Sequence, residues 1–228
     1  MIDLKEDILH ASFSKKDHIV TQIRELTEST FVMRFTRLGM TFRPGQRIIV
    51  GLKGNLDQRE YSIYSGENDD YLEILIREVK GGNVSAKLKN CKPGDLLDVN
   101  GPFGSFGIEP FNLFTAKHIF IATGTGISPF HSLVRSYPGI DYTLLHGVSL
   151  CKEAYGCEEY EPDRYILCTS REYFEGKKGR LTDYLLKFNV KKNMIFYVCG
   201  NSGMIYEAEH ILKEKGVTQK NIISEIYF

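Results

Sequence analysis

Two short runs carry residue types suited to holding phosphate. At His118–Phe130 the chain reads HIFIATGTGISPF, an apolar strand running into a Gly-rich turn and then a helix. Gly124 and Gly126 remove side chains where backbone must approach a phosphate, and the helix start offers N–H groups and positive dipole to a pyrophosphate. Pro129 falls where a first-turn proline loses no hydrogen bond, and Ser128 is the expected N-cap. The spacing is GxGxxP rather than GxGxxG, so a plain tight turn is the competing reading. The second run is KGGNVS at Lys80–Ser85, where Gly82 and Ser85 open a helix and form another anion seat. One cradle in each half suggests two nucleotides meeting at a domain interface, a common place for ligand sites.

Other residues surround these cradles. Ser170 and Arg171 follow the strand Tyr165–Thr169, and ligands of open α/β sheets bind off the carboxyl ends of strands. Arg171, Lys178 and Arg180 suit an extra phosphate such as a ribose 2′-phosphate; a solvated basic loop is the alternative, and the better one for Lys177 and Lys178. No acidic residue directly ends that strand, where a bare ribose would want one. The run YVCGNSGM places Cys199 and Gly200 at another strand end, although Cys199 alone reads as a small buried apolar residue. In REYS, strand alternation puts Arg59 and Tyr61 on one face and Glu60 and Ser62 on the other.

The elements that must position these residues change character along the chain. Residues 16–101 read mostly as β, with Arg47–Leu52, Tyr61–Tyr64 and Tyr71–Val79 separated by Pro-Gly, Gly-Asn and Gly-Gly turns, as in an antiparallel barrel. One helix fits at Val84–Asn90, with Asn83 as its N-cap. From Lys117 the strands Lys117–Ala122, Tyr142–His146, Tyr165–Thr169 and Met194–Cys199 alternate with helices at Ser128–Ser136, Thr182–Phe188 and Gly203–Lys215, the βαβ pattern of a parallel sheet. Glu109–Thr115 is the expected boundary, giving a barrel domain over 1–113, with 1–15 as an extension, and an α/β domain over 114–228.

At 228 residues the chain is long enough for two compact domains. Lys plus Arg equals Asp plus Glu at 29 each, so no global field steers nucleic acid or anionic lipid. No apolar run approaches the ~18 residues of a membrane span, and the opening MIDLKEDILH lacks the apolar centre of a signal peptide. Five cysteines without CxxC spacing read as thiols in a reducing cytoplasm, and the six histidines have no metal-ligand spacing, so no metal is expected.

In order, RxYS at 59–62, GGxxS at 81–85, GPFG at 101–104, GTGxxP at 124–129, SRE at 170–172, GR at 179–180, CGN at 199–201 and EIYF at 225–228 resemble the ferredoxin–NADP+ reductase family of FAD-dependent oxidoreductases. The likeness spans about residues 16–228. It implies a six-stranded antiparallel FAD barrel followed by a five-stranded parallel NADP domain.

By that resemblance Arg59 binds the flavin pyrophosphate, Tyr61 stacks on the isoalloxazine and Ser62 lies beside flavin N5. Glu60, Leu75, Ile76 and Arg77 border the flavin; Gly82, Asn83, Val84 and Ser85 hold its pyrophosphate; Thr125 and Gly126 sit where it meets the nucleotide turn. Tyr227 and Phe228 resemble the aromatic carboxyl end that covers the flavin or its adenine in relatives. On the coenzyme side the expected contacts are Gly124, Val148, Ser149, Ser170, Arg171, Arg180, Cys199, Gly200 and Met204. Ser149 stands where many bacterial relatives carry Arg, which weakens one 2′-phosphate contact. Ser62, Cys199 and Glu225 are the expected catalytic set.

The resemblance further implies hydride transfer between NADP(H) and FAD and single-electron exchange with ferredoxin or flavodoxin by a monomer. Two alternatives are the reductase component of an oxygenase or a free-flavin reductase, and a nucleotide-binding regulator without catalysis. The cysteine cluster usual in dihydroorotate-dehydrogenase electron-transfer subunits, which are also similar, is absent from this sequence.

Overall fold

Period-two patterning becomes two sheets. A computed structural model describes residues 17–173 and 179–227, the last by its backbone; the expectations for residues 1–15, Lys177, Lys178 and Phe228 lie outside the described residues. The first sheet contains β1 (His18–Thr27), β2 (Thr30–Thr36), β3 (Arg47–Leu52), β4 (Arg59–Ser62), β5 (Tyr71–Arg77) and β6 (Leu96–Phe103), with helix α1 (Ser85–Lys89) between the last two. Its six strands are antiparallel in the order β4-β3-β6-β1-β2-β5, and a bridge between Ile63 and Ile74 joins the two edges into a barrel. Phe31, Met33, Phe35, Ile48, Val50 and Ile74 fill its interior.

The second sheet contains β7 (Lys117–Thr123), β8 (Tyr142–Val148), β9 (Tyr165–Thr169), β10 (Met194–Asn201) and β11 (Ile222–Tyr227), all parallel, in the order β11-β10-β7-β8-β9. Helices α2 (Ser128–Ser136), α3 (Leu181–Lys187) and α4 (Ser202–Glu214) complete the half. Alternation sorts its strands between two cores. Ile119, Ile121, Phe196 and Val198 pack with Ile205 and Leu212 of α4. Phe120, Ala122, Tyr197 and Cys199 turn the other way, into a core shared with Tyr64, Leu75 and Phe106 of the barrel half.

Helix α2 clamps the halves together. His131 stacks on Tyr64 with ring centroids 3.6 Å apart and planes 4° from parallel, and its Nδ1–H donates to the Tyr64 carbonyl at 2.6 Å. Ser132 Oγ donates to the Ser65 carbonyl at 2.7 Å, Ser136 Oγ accepts from the Glu67 amide at 2.8 Å, and Arg135 grips both Asp69 oxygens at 2.7 and 3.1 Å. A further buried contact joins Thr30 and Tyr155 hydroxyls at 3.0 Å.

Two expected caps are corrected. Val84, not Asn83, precedes α1, and the Ser85 hydroxyl accepts from the Val79 amide in the turn before the helix. Ile127 precedes α2 because Gly124–Ile127 form a 3-10 turn; Ser128 is already helical and its hydroxyl donates back to the Thr125 carbonyl at 2.8 Å. Strand and helix ends otherwise shift by one or two residues, as local propensity leaves them. Among the described residues no helix is long and apolar enough to cross a membrane.

Ser132 has no solvent exposure. Ser132→Ala leaves the Ser65 carbonyl unpaired at the clamp, and urea unfolding is expected to show a loss of about 1–3 kcal/mol; an unchanged midpoint would contradict the role of this bond.

Candidate functional site

The strand ends of both sheets meet at a crevice. In β4, Glu60 and Ser62 share a face as expected: both reach one charged group formed with Arg47 of β3 and Glu225 of β11. Ser62 Oγ donates to Glu225 Oε2 at 3.4 Å, Arg47 Nη1 donates to Glu225 Oε1 at 3.2 Å, and Arg47 Nε makes a charge contact with Glu60 Oε2 at 2.8 Å. Ser62 is buried, and the Glu225 side chain is only 13% exposed. Burial raises the Glu225 carboxyl above the usual range, while Arg47 and the Ser62 hydrogen bond pull it back.

Cys199 joins this group through sheet register. It stands opposite Glu225 in the parallel pairing of β10 and β11, and in-register neighbours of a parallel sheet share a face. That face is the one turned toward the barrel, since Cys199 belongs to the core shared with Tyr64 and Leu75. The three residues expected to be catalytic are therefore brought to one place.

Arg59 and Tyr61 occupy the opposite face of β4. Burial pushes the Tyr61 phenol up to about 12, with the Arg59 charge opposing, so the ring stays neutral. Arg59 is exposed. Two residues on one strand face stand roughly 6.6 Å apart along the strand, so a cation and an aromatic face are offered side by side. That donor set fits a planar ring carrying a pyrophosphate. Leu75 and Ile76 are buried and Arg77 is exposed; Gly82 gives its amide to the Val79 carbonyl, Val84 and Ser85 are buried, and Asn83 is exposed.

The glycine turn is held from below. His146 is fully buried; its Nε2–H donates to the Gly124 carbonyl at 2.9 Å, and its Nδ1 accepts from the Tyr165 hydroxyl at 2.8 Å. Gly124 adopts φ +54° with open space beside it, a place for an approaching ligand. Gly126 has another purpose than the one expected from sequence. A Cβ there would lie 2.5 Å from the Cys199 carbonyl oxygen and 2.7 Å from Gly200 Cα, so its missing side chain admits the CGN backbone rather than a phosphate. Gly200, at φ +135°, fits equally closely against Thr123, whose hydroxyl accepts from the Asn201 amide at 3.1 Å. The GTG and CGN turns are thus one interlocked unit, with Asn201 capping α4 through the Gly203 amide at 3.0 Å.

The candidate 2′-phosphate residues gather at the ends of β8 and β9. The Ser170 amide donates to the Val148 carbonyl and the Arg171 amide to the Ser149 carbonyl, each at 3.0 Å, while the Gly179 amide donates to Thr169 and brings Arg180 alongside. Ser170, Arg171 and Arg180 are exposed, and neither arginine forms an ion pair among the described residues. Glu153 accepts from the Ser149 and Leu150 amides at 2.9 and 3.0 Å, ordering the loop beside Ser149. Met204 is buried in the core behind the sheet, and Tyr227 ends β11 opposite Asn201. Arg47 and His146 went unrecognised as site residues in the sequence; a charged residue opening an otherwise apolar strand was the available signal for Arg47.

Residues 17–108 match the family described as "Oxidoreductase FAD-binding domain", so the barrel is an FAD-binding oxidoreductase module. The chain is 29% identical to the flavodoxin/ferredoxin–NADP reductase of Rhodobacter capsulatus, over 88% of this chain and 86% of that one. It is 27% identical to a probable dihydroorotate dehydrogenase B (NAD(+)) electron transfer subunit of Methanopyrus kandleri, over 87% and 74%, and 25% identical to the toluate 1,2-dioxygenase electron transfer component of Pseudomonas putida, over 90% and 66%. The ferredoxin NADP+ reductase of Neisseria gonorrhoeae, solved with bound FAD and NADP, superposes with a TM-score of 0.78 over 93% of this chain and 98% of that one at 20% identity. Its fold is this fold. Residues 17–108 thus belong to the oxidoreductase FAD-binding domain family, and over most of its length the chain is similar in sequence and fold to ferredoxin–NADP+ reductases.

Burial lowers the His146 imidazole from 6.5 to about 4. The unfolded chain therefore takes up this proton first as pH falls, and stability is lost between about pH 6.5 and 4, by up to roughly 3 kcal/mol. His118, also lowered by burial, acts in the same direction. Urea titrations at pH 7.5 and 5 are expected to show this loss, and a smaller one in His146→Gln; equal losses in both proteins would contradict it.

Proposed function

We propose that the protein transfers a hydride from NADPH to FAD and passes single electrons from FAD to ferredoxin or flavodoxin. The observation supporting this reading is the convergence of Ser62, Cys199 and Glu225 from two sheets at the end of β4, the strand whose other face presents Arg59 and Tyr61. In this reading residues 1–113 form the FAD domain and 114–228 the NADP domain.

FAD, when bound, supplies the two-electron to one-electron conversion. The chain supplies placement. Arg59 balances the pyrophosphate charge, and Tyr61 offers its ring face to the isoalloxazine. The Ser62 hydroxyl, its proton turned to Glu225, would leave its oxygen lone pairs to accept the proton that N5 carries when the ring is reduced. Removal of one preorganised hydrogen-bond partner costs about 2.7–4 kcal/mol where full charge develops, and less is expected of Ser62 because hydride transfer localises less charge. Cys199 and the Gly200 turn bound the nicotinamide side. Burial of Ser62 and Cys199 keeps water from the reacting edge.

Preference for NADPH is supported by Ser170, Arg171 and Arg180 at one strand edge. Arg171→Ala is expected to raise KM for NADPH about tenfold or more, with KM for NADH little changed, as loss of a charge-assisted phosphate contact requires. Equal rises for both coenzymes would argue against a 2′-phosphate role.

Similarity to the dioxygenase component of Pseudomonas putida favours a second reading, the reductase of an oxygenase. The purified protein is expected to be yellow, to bleach with NADPH and to recover colour when oxidised ferredoxin or flavodoxin is added. A colourless protein, or one that NADPH leaves oxidised, would contradict the flavoenzyme reading; recovery only with a dioxygenase component or free FMN would move the partner to the second reading.

A further inference from the structure

Arg47 is the one member of the crevice's charged group that neither the catalytic set nor the cofactor contacts include. It opens β3 directly opposite Ser62 of β4 and is paired to Phe103 of β6 on its other side. Its guanidinium divides between two carboxylates, Glu225 at 3.2 Å and Glu60 at 2.8 Å. The two partners differ in kind: the Glu60 side chain is 57% exposed and the Glu225 side chain 13%. Water screens the first pairing, whereas the second operates where screening is weak.

The fold makes room for this guanidinium. Gly104 holds φ +91°, and a Cβ there would lie 2.6 Å from Arg47 Nη1. Gln46 ties the same residue down, its Nε2 donating to the Gly104 carbonyl at 3.1 Å. The GPFG segment is therefore shaped around the Arg47 head.

We propose that Arg47 is a positioning residue for the reaction: its guanidinium holds the Glu225 carboxylate against Ser62 at the floor of the crevice, and Glu60, as a competing partner, sets how strongly it does so. The reaction role rests on the flavin reading above; the electrostatic role does not. The groups facing the Glu225 carboxyl are Arg47 from β3, Glu60 and Ser62 from β4, and Cys199 from the neighbouring strand β10. Removing Arg47 leaves a buried carboxyl with a hydroxyl and a second carboxylate, a setting that favours the neutral acid. Ser62 then loses the acceptor that orients its hydroxyl. Removing Glu60 has the opposite effect, giving Glu225 the whole guanidinium and relieving a like charge.

The test is a 13C NMR titration of the purified holoprotein labelled at glutamate carboxyls, with Glu225 assigned from Glu225→Gln. Relative to wild type, the Glu225 midpoint is expected to rise by about one pH unit or more in Arg47→Gln, to fall in Glu60→Gln and to stay near wild type in Arg47→Lys. The pH profile of flavin reduction by NADPH should move the same way, whereas a merely structural Arg47 would lower stability without moving either midpoint. An unmoved Glu225 midpoint in folded Arg47→Gln overturns the proposal. If that variant does not fold, an unmoved or raised midpoint in Glu60→Gln overturns it. Midpoints that shift as expected in a protein that NADPH cannot reduce would sink the flavin reading and leave the electrostatic role of Arg47 standing.

Discussion

The clamp between helix α2 and the segment after β4 is the constraint on which the site depends. Its barrel-side partners, Tyr64 and Ser65, follow Tyr61 and Ser62 by three residues. Its other partners, His131 and Ser132, begin one turn after the Gly124–Ile127 bend. One contact therefore fixes both halves of the crevice, with only a few bonds of chain between the clamp and each reacting edge. The stacked His131–Tyr64 pair contributes about 0.5–1.5 kcal/mol beyond its buried area, and the buried hydrogen bonds to the Tyr64 and Ser65 carbonyls about 1 kcal/mol net each. The larger effect is geometric: Tyr64 and Ser65 are fully buried, so sliding of the helix would leave their carbonyls unpaired.

With the halves held, the carboxyl end of the parallel sheet meets β4, and charge decides what happens there. Glu225 is buried enough for desolvation to be the largest influence on its carboxyl. Arg47 and Ser62 oppose that influence from the barrel. A carboxyl so balanced responds to small changes nearby. His146 has the reverse character. Burial keeps it neutral, and a neutral imidazole can donate to Gly124 while accepting from Tyr165, which fixes its tautomer and the turn above it.

Local patterns made much of this legible in the sequence. The βαβ alternation after Lys117 gave the parallel sheet, because buried strands are continuous apolar runs whatever they pack against. Period two placed Glu60 with Ser62 and Arg59 with Tyr61. The motif order pointed to the family. Strand β11 was not singled out, since IISEIY mixes polar and apolar residues as an edge strand does. Asn83 and Ser128 have the composition of caps, but a preceding 3-10 turn or a competing hydroxyl bond displaced the helix starts, and such one-residue outcomes are decided by neighbouring turns. The purpose of Gly126 was hidden because its neighbour, the Cys199–Gly200 backbone, is 73 residues away in sequence. Arg47, His131 and His146 were hidden for the same reason: each acts on a partner that only the fold brings near.

We place one isoalloxazine ring at the end of β4, where Tyr61 on one strand face and Ser62 on the other both reach it, next to Cys199 and Glu225. A crystal structure of the FAD-loaded protein tests it directly. The ring face is expected on Tyr61, its N5 edge within hydrogen-bonding distance of Ser62 Oγ, and the pyrophosphate beside Arg59. A ring bound elsewhere, or Tyr61 turned away from it with Ser62 remote from N5, would contradict this placement.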